Sequence, residues 1–377
     1  MAEVGILSMQ RIVNYGSFLQ AYCLKRMVEE LGHQVQFVDY HAGPPLGVPK
    51  GKTLSGWQRT GQKIAEVMAC DAPLFHRLQF LKFKKEFSMR YHPILELSHF
   101  PNYTPQLDAL VVGSDEVFNC TQRNSNVGYS PELFGKDNQA SRLLTYGASF
   151  GNTTIQTLRQ YHKTEELASL LQAFQAISVR DRHSAELVRE LTGRQTICHL
   201  DPVLVYDLIG SSGKIPEIHP KEEYLLLYAY SGRLSSQEAY WVSDYARKHR
   251  LKVYTLGGIQ SCGDRFIACD PFAVPAWFRS AELVLTDTFH GTIFSVITER
   301  PFATLIRKSQ GNSYGNEEKL TDLLTRLNLI ERGTTKICEV ERIWDQTVDF
   351  RQTRRIIEHA REAAYDYLKG QLQERSE

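Results

Sequence analysis

The chain has 377 residues, which is enough for two domains of ordinary size, each with its own hydrophobic core. Its 44 Lys and Arg residues nearly balance its 43 Asp and Glu residues, so the formal net charge is +1. This balance argues against nucleic acid as a partner and against broad electrostatic attraction to a membrane, although it is compatible with peripheral association. A bound anion must therefore be held by a local group of cations.

Seven cysteines are scattered along the chain, without a Cys-x-x-Cys pair or a paired Cys/His spacing. This pattern predicts reduced thiols and no metal site. Residues 1–7 lack the long apolar region of a signal peptide, and no later apolar run approaches the ~18 residues of a membrane span. We therefore expect a cytoplasmic protein.

The first forty residues predict a strand, a helix and a second strand. The strand covers 4–8, an amphipathic helix covers 16–31 and stops at Gly32, and the second strand covers 34–39. Such a unit implies a parallel sheet with a right-handed crossover. It is the usual beginning of a doubly wound α/β domain.

The rest of the first half also alternates between helical and extended patterns. A Gly- and Pro-rich loop is predicted at 41–56 and a polar loop at 120–135. Predicted strands lie at 107–112, 143–146, 176–179 and 196–200, with helical patterns over 57–89, 164–174 and 184–191. Residues 210–220 contain Gly, Ser and Pro and are the best candidate linker.

The second half restarts the same alternation. Strands are predicted at 224–230, 252–256, 282–286 and 302–305, and helices at 236–249, 273–279, 291–298 and 320–327. A long charged helix follows at 351–372. The sequence therefore predicts an α/β protein with two Rossmann-like domains, 1–208 and 209–348, facing each other across a cleft. Residues 349–377 form a C-terminal helix that could pack back on the first domain.

Polar residues cluster where several predicted strands end. The four clusters are Asn14-Tyr15-Gly16-Ser17, Gly113-Ser114-Asp115, Arg180-Asp181-Arg182 and Asp287-Thr288-Phe289-His290-Gly291. Parallel sheets place the carboxyl ends of their strands on one side, and ligands of such folds collect there. If the two domains face each other, the four clusters can converge on one site.

His290 is the strongest single candidate in these clusters. An imidazole can donate to an anion when it is charged, and it can transfer a proton near neutral pH. His290 also lies where a buried strand gives way to a helix, whose free N–H groups attract anions. The alternative is a helix cap with a structural histidine.

The other candidates have equally plain alternatives. Arg180 could bind a carboxylate or phosphate, or it could form an ion pair with Asp181 or Asp201. Asp115 could act as a base or hold a sugar hydroxyl. The alternative is that Asp115 and the adjacent Glu116 are solvated, as neighbouring acidic residues in a loop usually are.

The remaining candidates concern a helix start and a basic segment. We favour Asn14 or Ser17 as a helix cap, and the alternative is that Gly16 lets N–H groups approach an anion or a sugar hydroxyl. The segment 307–315 begins with Arg307 and Lys308 and could close over a phosphate or be an exposed loop.

Taken in order, these motifs resemble the polysaccharide pyruvyl transferase family. The matching stretches are Asn14-Tyr15-Gly16-Ser17-Phe18-Leu19-Gln20-Ala21-Tyr22, Val112-Gly113-Ser114-Asp115, Tyr146-Gly147-Ala148-Ser149-Phe150-Gly151, Ile177-Ser178-Val179-Arg180-Asp181, Leu200-Asp201-Pro202 and Thr286-Asp287-Thr288-Phe289-His290-Gly291. As an ordered set they are specific to the family but not to one acceptor.

The resemblance implies a fold similar to that of GT-B glycosyltransferases, with the first domain on the acceptor side. It also implies transfer of pyruvate from phosphoenolpyruvate to a sugar of an exopolysaccharide, glycolipid or polysaccharide precursor, often as a cyclic ketal. Phosphoenolpyruvate is then a donor substrate, and no cofactor or metal is expected. Under this reading His290 is the acid or a phosphate ligand, and Asp115 is a base on the acceptor side.

The same resemblance assigns the substrate-binding residues. Arg180 would hold phosphoenolpyruvate with His290, and Gly291 would support the anion. The further binding residues are Asn14, Tyr15, Gly16, Ser17, Ser114 and Thr288. Some family members have an arginine where Thr288 stands, and Arg307 or Lys308 could supply that contact here.

Two other functions stay open from the sequence. One is a GT-B-type glycosyltransferase that uses a nucleotide-sugar donor, and the other is a non-catalytic glycan-binding protein, because a fold does not fix a function. A nicotinamide-dependent enzyme is disfavoured, since no Gly-x-Gly-x-x-Gly follows the first strand.

Overall fold

The computed structural model describes residues 1–47, 56–122, 127–211, 213–308 and 316–373. Within these residues the chain forms two six-stranded sheets, one in each half, and every paired strand is parallel to its neighbour. The first sheet contains β1 Glu3–Leu7, β2 Gln34–Val38, β3 Leu107–Asp115, β4 Ala140–Ala148, β5 Ser178–Val179 and β6 Ile197–Cys198. The second contains β7 Tyr224–Tyr228, β8 Lys252–Leu256, β9 Arg265–Ile267, β10 Leu283–Thr286, β11 Phe302–Leu305 and β12 Gly333–Thr334.

The strand orders are those of doubly wound folds. The first sheet runs β2-β1-β3-β4-β5-β6, which is the flavodoxin-like order with one strand added. The second runs β12-β11-β10-β7-β8-β9, which is the order of a dinucleotide-binding Rossmann domain read from its other edge. The prediction of two Rossmann-like α/β domains is therefore confirmed.

The helices connect the strands and cover the sheets. In chain order they are α1 Tyr15–Glu30, α2 Gly56–Ala69, α3 Leu74–Tyr91, α4 Ile155–Gln160, α5 Thr164–Gln172, α6 Arg182–Thr192, α7 Pro202–Val205, α8 Ser236–Lys248, α9 Val274–Arg279, α10 Phe289–Ile297, α11 Glu317–Arg326, α12 Val340–Asp345 and α13 Phe350–Leu372. The helical pattern over 57–89 divides into α2 and α3. Pro73 stands directly before α3, where a proline cannot continue a preceding helix.

The two domains pack against each other beside the cleft. Phe18 and Tyr22 of α1 contact Phe272 of the second domain, with ring centroids 6.0 and 4.8 Å apart. All three side chains are buried in one hydrophobic cluster that extends through both domains. The apolar interface therefore fixes how the two sheets face each other.

The last helix, α13, crosses from one domain to the other. Near its start Thr353 donates to the carbonyl of Leu327 in the second domain. Near its end Tyr367 donates to the carbonyl of Thr145 in the first domain. The predicted domain boundaries, at 208 and 348, stay predictions.

Candidate functional site

A cavity of about 360 Å³ lies between the two domains, at the carboxyl ends of their central strands. Its walls come from the residues after β1, β3, β5, β7 and β10 and from α3 and α11. Six of the predicted site residues line it, namely Asn14, Ser17, Asp115, Arg180, Thr288 and His290. The structure thus brings together one or more residues from each of the four polar clusters.

Arg180 and His290 approach the same carboxylate from different domains. Arg180 Nη1 donates to Asp201 Oδ2 over 3.1 Å, and His290 Nε2 lies 3.6 Å from that oxygen. The guanidinium of Arg180 also stacks on the ring of Phe289, 4.3 Å from its centroid. The ion pair between Arg180 and Asp201, one of the two readings open from the sequence, is therefore present in the structure.

Burial and charge oppose each other at this junction. Burial disfavours the charged form of Asp201, but His290 and Arg180 outweigh it, so the pKa of Asp201 lies below its usual value. Burial likewise disfavours the charged guanidinium of Arg180, but Asp115 and Asp201 outweigh it and raise the pKa of Arg180. Both groups therefore carry their charges at neutral pH.

The ion pair leaves donor capacity for a ligand. Arg180 Nε and His290 Nε2 are buried and have no hydrogen-bond partner among the described residues. Buried polar atoms of this kind are rare unless a ligand or water completes them. Because both residues line the cavity, an anion bound there would lie beside both side chains.

Gly16 makes room for His290. A Cβ atom built on Gly16 would lie 2.3 Å from Cγ and Nδ1 of the imidazole, which is far inside van der Waals contact. Its N–H is already used, because Gly16 and Ser17 donate to Asn14 Oδ1 over 2.7 and 3.3 Å. Asn14 is thus the cap of α1 that the sequence favours. The alternative, that Gly16 lets N–H groups approach an anion or a sugar hydroxyl, stays a prediction.

Asp115 reaches the cavity from the end of β3. Its φ of +80° lies in the left-handed region, which is uncommon for a residue other than glycine. Asp115 Oδ2 accepts from Ser17 over 2.9 Å, and Oδ1 lies 3.5 Å from Arg180 Nη1. The carboxylate is therefore oriented by two neighbours and is partly open to the cavity.

Three predicted binding residues form hydrogen bonds within the protein around the cavity. Tyr15 is buried and donates to the carbonyl of Cys269, which joins the two domains. Ser114 is fully buried and donates to the carbonyl of Gly147. Gly291 donates its N–H to Thr288 Oγ1 over 2.9 Å, so Thr288 is the cap of α10. None of the three lines the cavity.

Arg307 and Lys308 lie outside the cavity lining, so the proposal that one of them supplies the contact left open at Thr288 stays a prediction. Arg307 pairs with Glu238 and lies 3.6 Å from Asp287, so its charge is already balanced. Lys308 is exposed, 4.0 Å from Glu317. Neither lines the cavity. The rest of the predicted closing segment, 309–315, lies outside the described residues, as do 48–55 and 123–126 of the two predicted loops.

The cavity contains three further cations that the sequence reasoning missed. Arg233 donates to Asp287 over 3.0 Å, Lys319 pairs with Glu116 over 2.8 Å, and Lys84 donates to the carbonyl of Val13 over 3.0 Å. Arg233 follows the end of β7, so the strand-end rule could have found it. Lys84 lies in the middle of α3 and Lys319 in the first turn of α11, where no local pattern marks them.

Lys84 differs from the other cations in its surroundings. It is accessible to solvent within the open cleft, yet protein atoms crowd its ammonium group and lower the pKa of Lys84 to about 8, with a smaller effect from Lys63. Among the described residues no carboxylate forms an ion pair with it. A bound anion would favour its charged form.

Within the described parts of the chain, no group of three or more His, Cys, Asp or Glu side chains could hold a metal ion. Glu116, which follows Asp115, is used by Lys319 and by Asn119 Nδ2. The expectation of a site without metal or cofactor stays a prediction.

A family model for polysaccharide pyruvyl transferase matches residues 14–309, which is more than half of the chain. The chain belongs to this family. The matched region includes Asn14, Asp115, Arg180 and His290. Because the family consists of transferases, this chain is a transferase. The resemblance inferred from the ordered motifs is confirmed. A search of curated proteins found no match.

Solved structures with related folds were also found. One is the glycotransferase of kitacinnamycin, with 9% identity, a TM-score of 0.48 and 99% of both chains covered. Another is a UDP-GlcNAc 2-epimerase from Neisseria meningitidis bound to UDP-GlcNAc, with 13% identity, a TM-score of 0.48, and coverage of 98% of this chain and 99% of that chain. A third is an O-GlcNAc transferase from Thermobaculum terrenum, with 11% identity, a TM-score of 0.43, and coverage of 98% of this chain and 66% of that chain. At these identities and TM-scores the likenesses carry no conclusion about the substrate of this chain.

Proposed function

We propose that this chain transfers pyruvate from phosphoenolpyruvate to a sugar of a polysaccharide or glycolipid precursor, as a ketal, in the cytoplasm. The observation that carries the proposal is the meeting of Arg180 and His290 at Asp201 beside the cavity, where Arg180 Nε and His290 Nε2 lack a hydrogen bond to any described residue. Phosphoenolpyruvate acts here as a substrate, and no cofactor is invoked.

The donor needs two anion-binding subsites, because it carries a carboxylate and a phosphate. Arg180 suits one of them, since a guanidinium can donate to two oxygens of either group. Lys84 and Arg233 line the same cavity and can supply the second positive subsite. The acidic residues Asp115 and Glu116 line the first-domain part of the cavity, where sugar hydroxyls rather than a second anion would be favoured.

The chemistry needs one acid and one base. His290 donates a proton to the methylene carbon of phosphoenolpyruvate, which leaves the neighbouring carbon electron-poor. A sugar hydroxyl attacks that carbon as its proton passes to Asp115. The phosphate then leaves with its bonding electrons, and a second hydroxyl closes the ring and releases its own proton. The products are a pyruvyl ketal and inorganic phosphate.

Ligand binding and phosphate release together test the donor. We expect phosphoenolpyruvate to raise the melting temperature in a saturable way, and to release phosphate only when a suitable sugar acceptor is present. Stabilisation by a uridine or guanosine nucleotide sugar, without any by phosphoenolpyruvate, would instead identify a glycosyltransferase. Sugar binding without phosphate release from any donor would identify a glycan-binding protein.

The variant His290→Ala tests the central residue. General acid catalysis contributes about 10²–10⁴-fold, so phosphate release by the folded variant should fall by that factor. His359→Ala is the matched control, because His359 lies in α13 with 88% of its side chain exposed. Wild-type turnover and donor affinity in His290→Ala would show that the assignment is wrong.

A further inference from the structure

The hairpin of α2 and α3 exposes an unusual concentration of apolar side chains. Among the described residues fourteen large apolar side chains are exposed, and six of them lie between positions 60 and 91. These six are Ile64, Met68, Leu74, Phe75, Leu78 and Met89. Single exposed apolar residues are normal, but a group on one element marks an interaction surface.

Part of this surface is a shallow groove. Phe75 and Leu78, with 66% and 52% of their area exposed, form its outer edge. Phe83, Phe87 and Tyr91 line its floor, and its volume is about 530 Å³. The groove is therefore both apolar and open to solvent.

The same hairpin is basic, although the whole chain is nearly neutral. Residues 60–91 contain six Lys or Arg residues and three Asp or Glu residues. Lys82 and Arg90 border the groove, and Lys85 is exposed beside them. Glu86 lies 2.7 Å from Arg90 and 4.0 Å from Lys82, so it offsets only part of this charge. Apolar side chains beside excess positive charge complement an anionic lipid surface.

We propose that the α2–α3 hairpin docks this chain on an anionic lipid bilayer. Leu74, Phe75 and Leu78 enter the boundary between headgroups and acyl chains, and Lys82 and Lys85 face lipid phosphates. The chain lies on the membrane in this arrangement. None of the described helices is long and apolar enough to cross it.

Docking would also orient the cavity. Helix α3 contributes Phe83 to the groove and the next residue, Lys84, to the cavity, so the groove and the cavity border the same helix. A sugar carried by a membrane lipid would then be presented beside the site. This consequence rests on the proposed function, whereas the docking itself does not.

Vesicle sedimentation tests the docking with the full chain. We expect the protein to sediment with vesicles of phosphatidylglycerol and phosphatidylcholine, to stay in solution with pure phosphatidylcholine, and to be released by high salt. The double variant Phe75→Ser and Leu78→Ser should weaken binding by at least about tenfold, since it removes two exposed side chains that would be buried in lipid. Tyr240→Ser is the matched control, because Tyr240 is 74% exposed on α8.

Other outcomes would overturn the proposal. These are no sedimentation with anionic vesicles, equal binding to neutral vesicles, or equal binding by the double variant and Tyr240→Ser. A dimer of the wild type that the double variant converts to a monomer would assign the hairpin to self-association instead. Phosphate release with a water-soluble acceptor should be unchanged in the double variant, so failure of docking and failure of the proposed function are distinguishable.

Discussion

At the scale of single residues, Lys84 gives the cavity a pH dependence. Its pKa of about 8 in the free protein lies below the ordinary value for lysine, and a bound anion raises it again. Lys84 therefore contributes fully to anion binding below pH 8 and progressively less as the pH rises above 8. We expect the dissociation constant of phosphoenolpyruvate to increase by up to about tenfold per pH unit above pH 8.

The variant Lys84→Gln isolates this contribution. It should bind phosphoenolpyruvate more weakly at pH 7 and show a flatter dependence between pH 7 and 9.5, measured by calorimetry. Lys136→Gln, which changes an exposed lysine outside the cavity, should keep the wild-type profile. An unchanged slope in Lys84→Gln would show that another group causes the dependence.

The sequence predicted those site residues that follow strands. Arg180, His290 and Asp115 were found because each stands where a β-strand ends, and parallel strands bring such ends together. Lys84 and Lys319 were missed because they enter the cavity from helices, and their approach depends on how α3 and α11 pack. How these helices pack is a tertiary property, and the periodicity of the sequence does not indicate it.

At the scale of elements, the start of α1 and the start of α10 form one unit. Gly16 in the first turn of α1 lies against the ring of His290 in the first turn of α10. In Gly16→Ala the added methyl group must displace the imidazole. We expect kcat/KM to fall by about 10²-fold, which is the usual effect of a small misplacement at a reacting centre. Overpacking should lower the free energy of unfolding by about 1–3 kcal/mol.

Gly61→Ala is the control for this variant. Gly61 lies inside α2, and a Cβ atom there would have no neighbour within 4 Å. It should therefore raise the free energy of unfolding by up to about 1 kcal/mol, through helix propensity, and leave kcat/KM unchanged. Wild-type activity in Gly16→Ala would mean that the ring position of His290 does not matter.

The sequence predicted helices and strands well where neighbouring residues determine their ends. It missed elements whose formation depends on tertiary contacts. The N-cap Asn14 and Gly32, with a φ of +86°, delimit α1 close to the predicted range. The short strands β9 and β12, by contrast, were not predicted. β9 has three residues and β12 has two. Each is a strand because it pairs with the edge of a sheet, and its own residues show no strand pattern long enough to predict it.

At the scale of the whole molecule, the shape of the cavity depends on how the two domains are placed relative to each other, because both of them line it. Arg326 of α11 donates to the carbonyls of Arg180 and Cys198, and Lys319 pairs with Glu116, so α11 touches the first domain beside the site. Helix α13 joins the domains a second time. Small changes in either connection should therefore move Arg180 relative to His290.

The variant Leu368→Ala tests the second connection. Leu368 is fully buried in the hydrophobic cluster where α13 packs back on the first domain, near the bond from Tyr367 to Thr145. Truncating a buried leucine costs about 2–5 kcal/mol, so the midpoint of denaturant unfolding should fall clearly. The KM for phosphoenolpyruvate should also rise, since Arg180 and His290 lie on separate domains. Lys369→Ala, at the exposed neighbouring position, should change neither quantity. If Leu368→Ala lost stability but kept the wild-type KM, α13 would stabilise the fold without setting the width of the cleft.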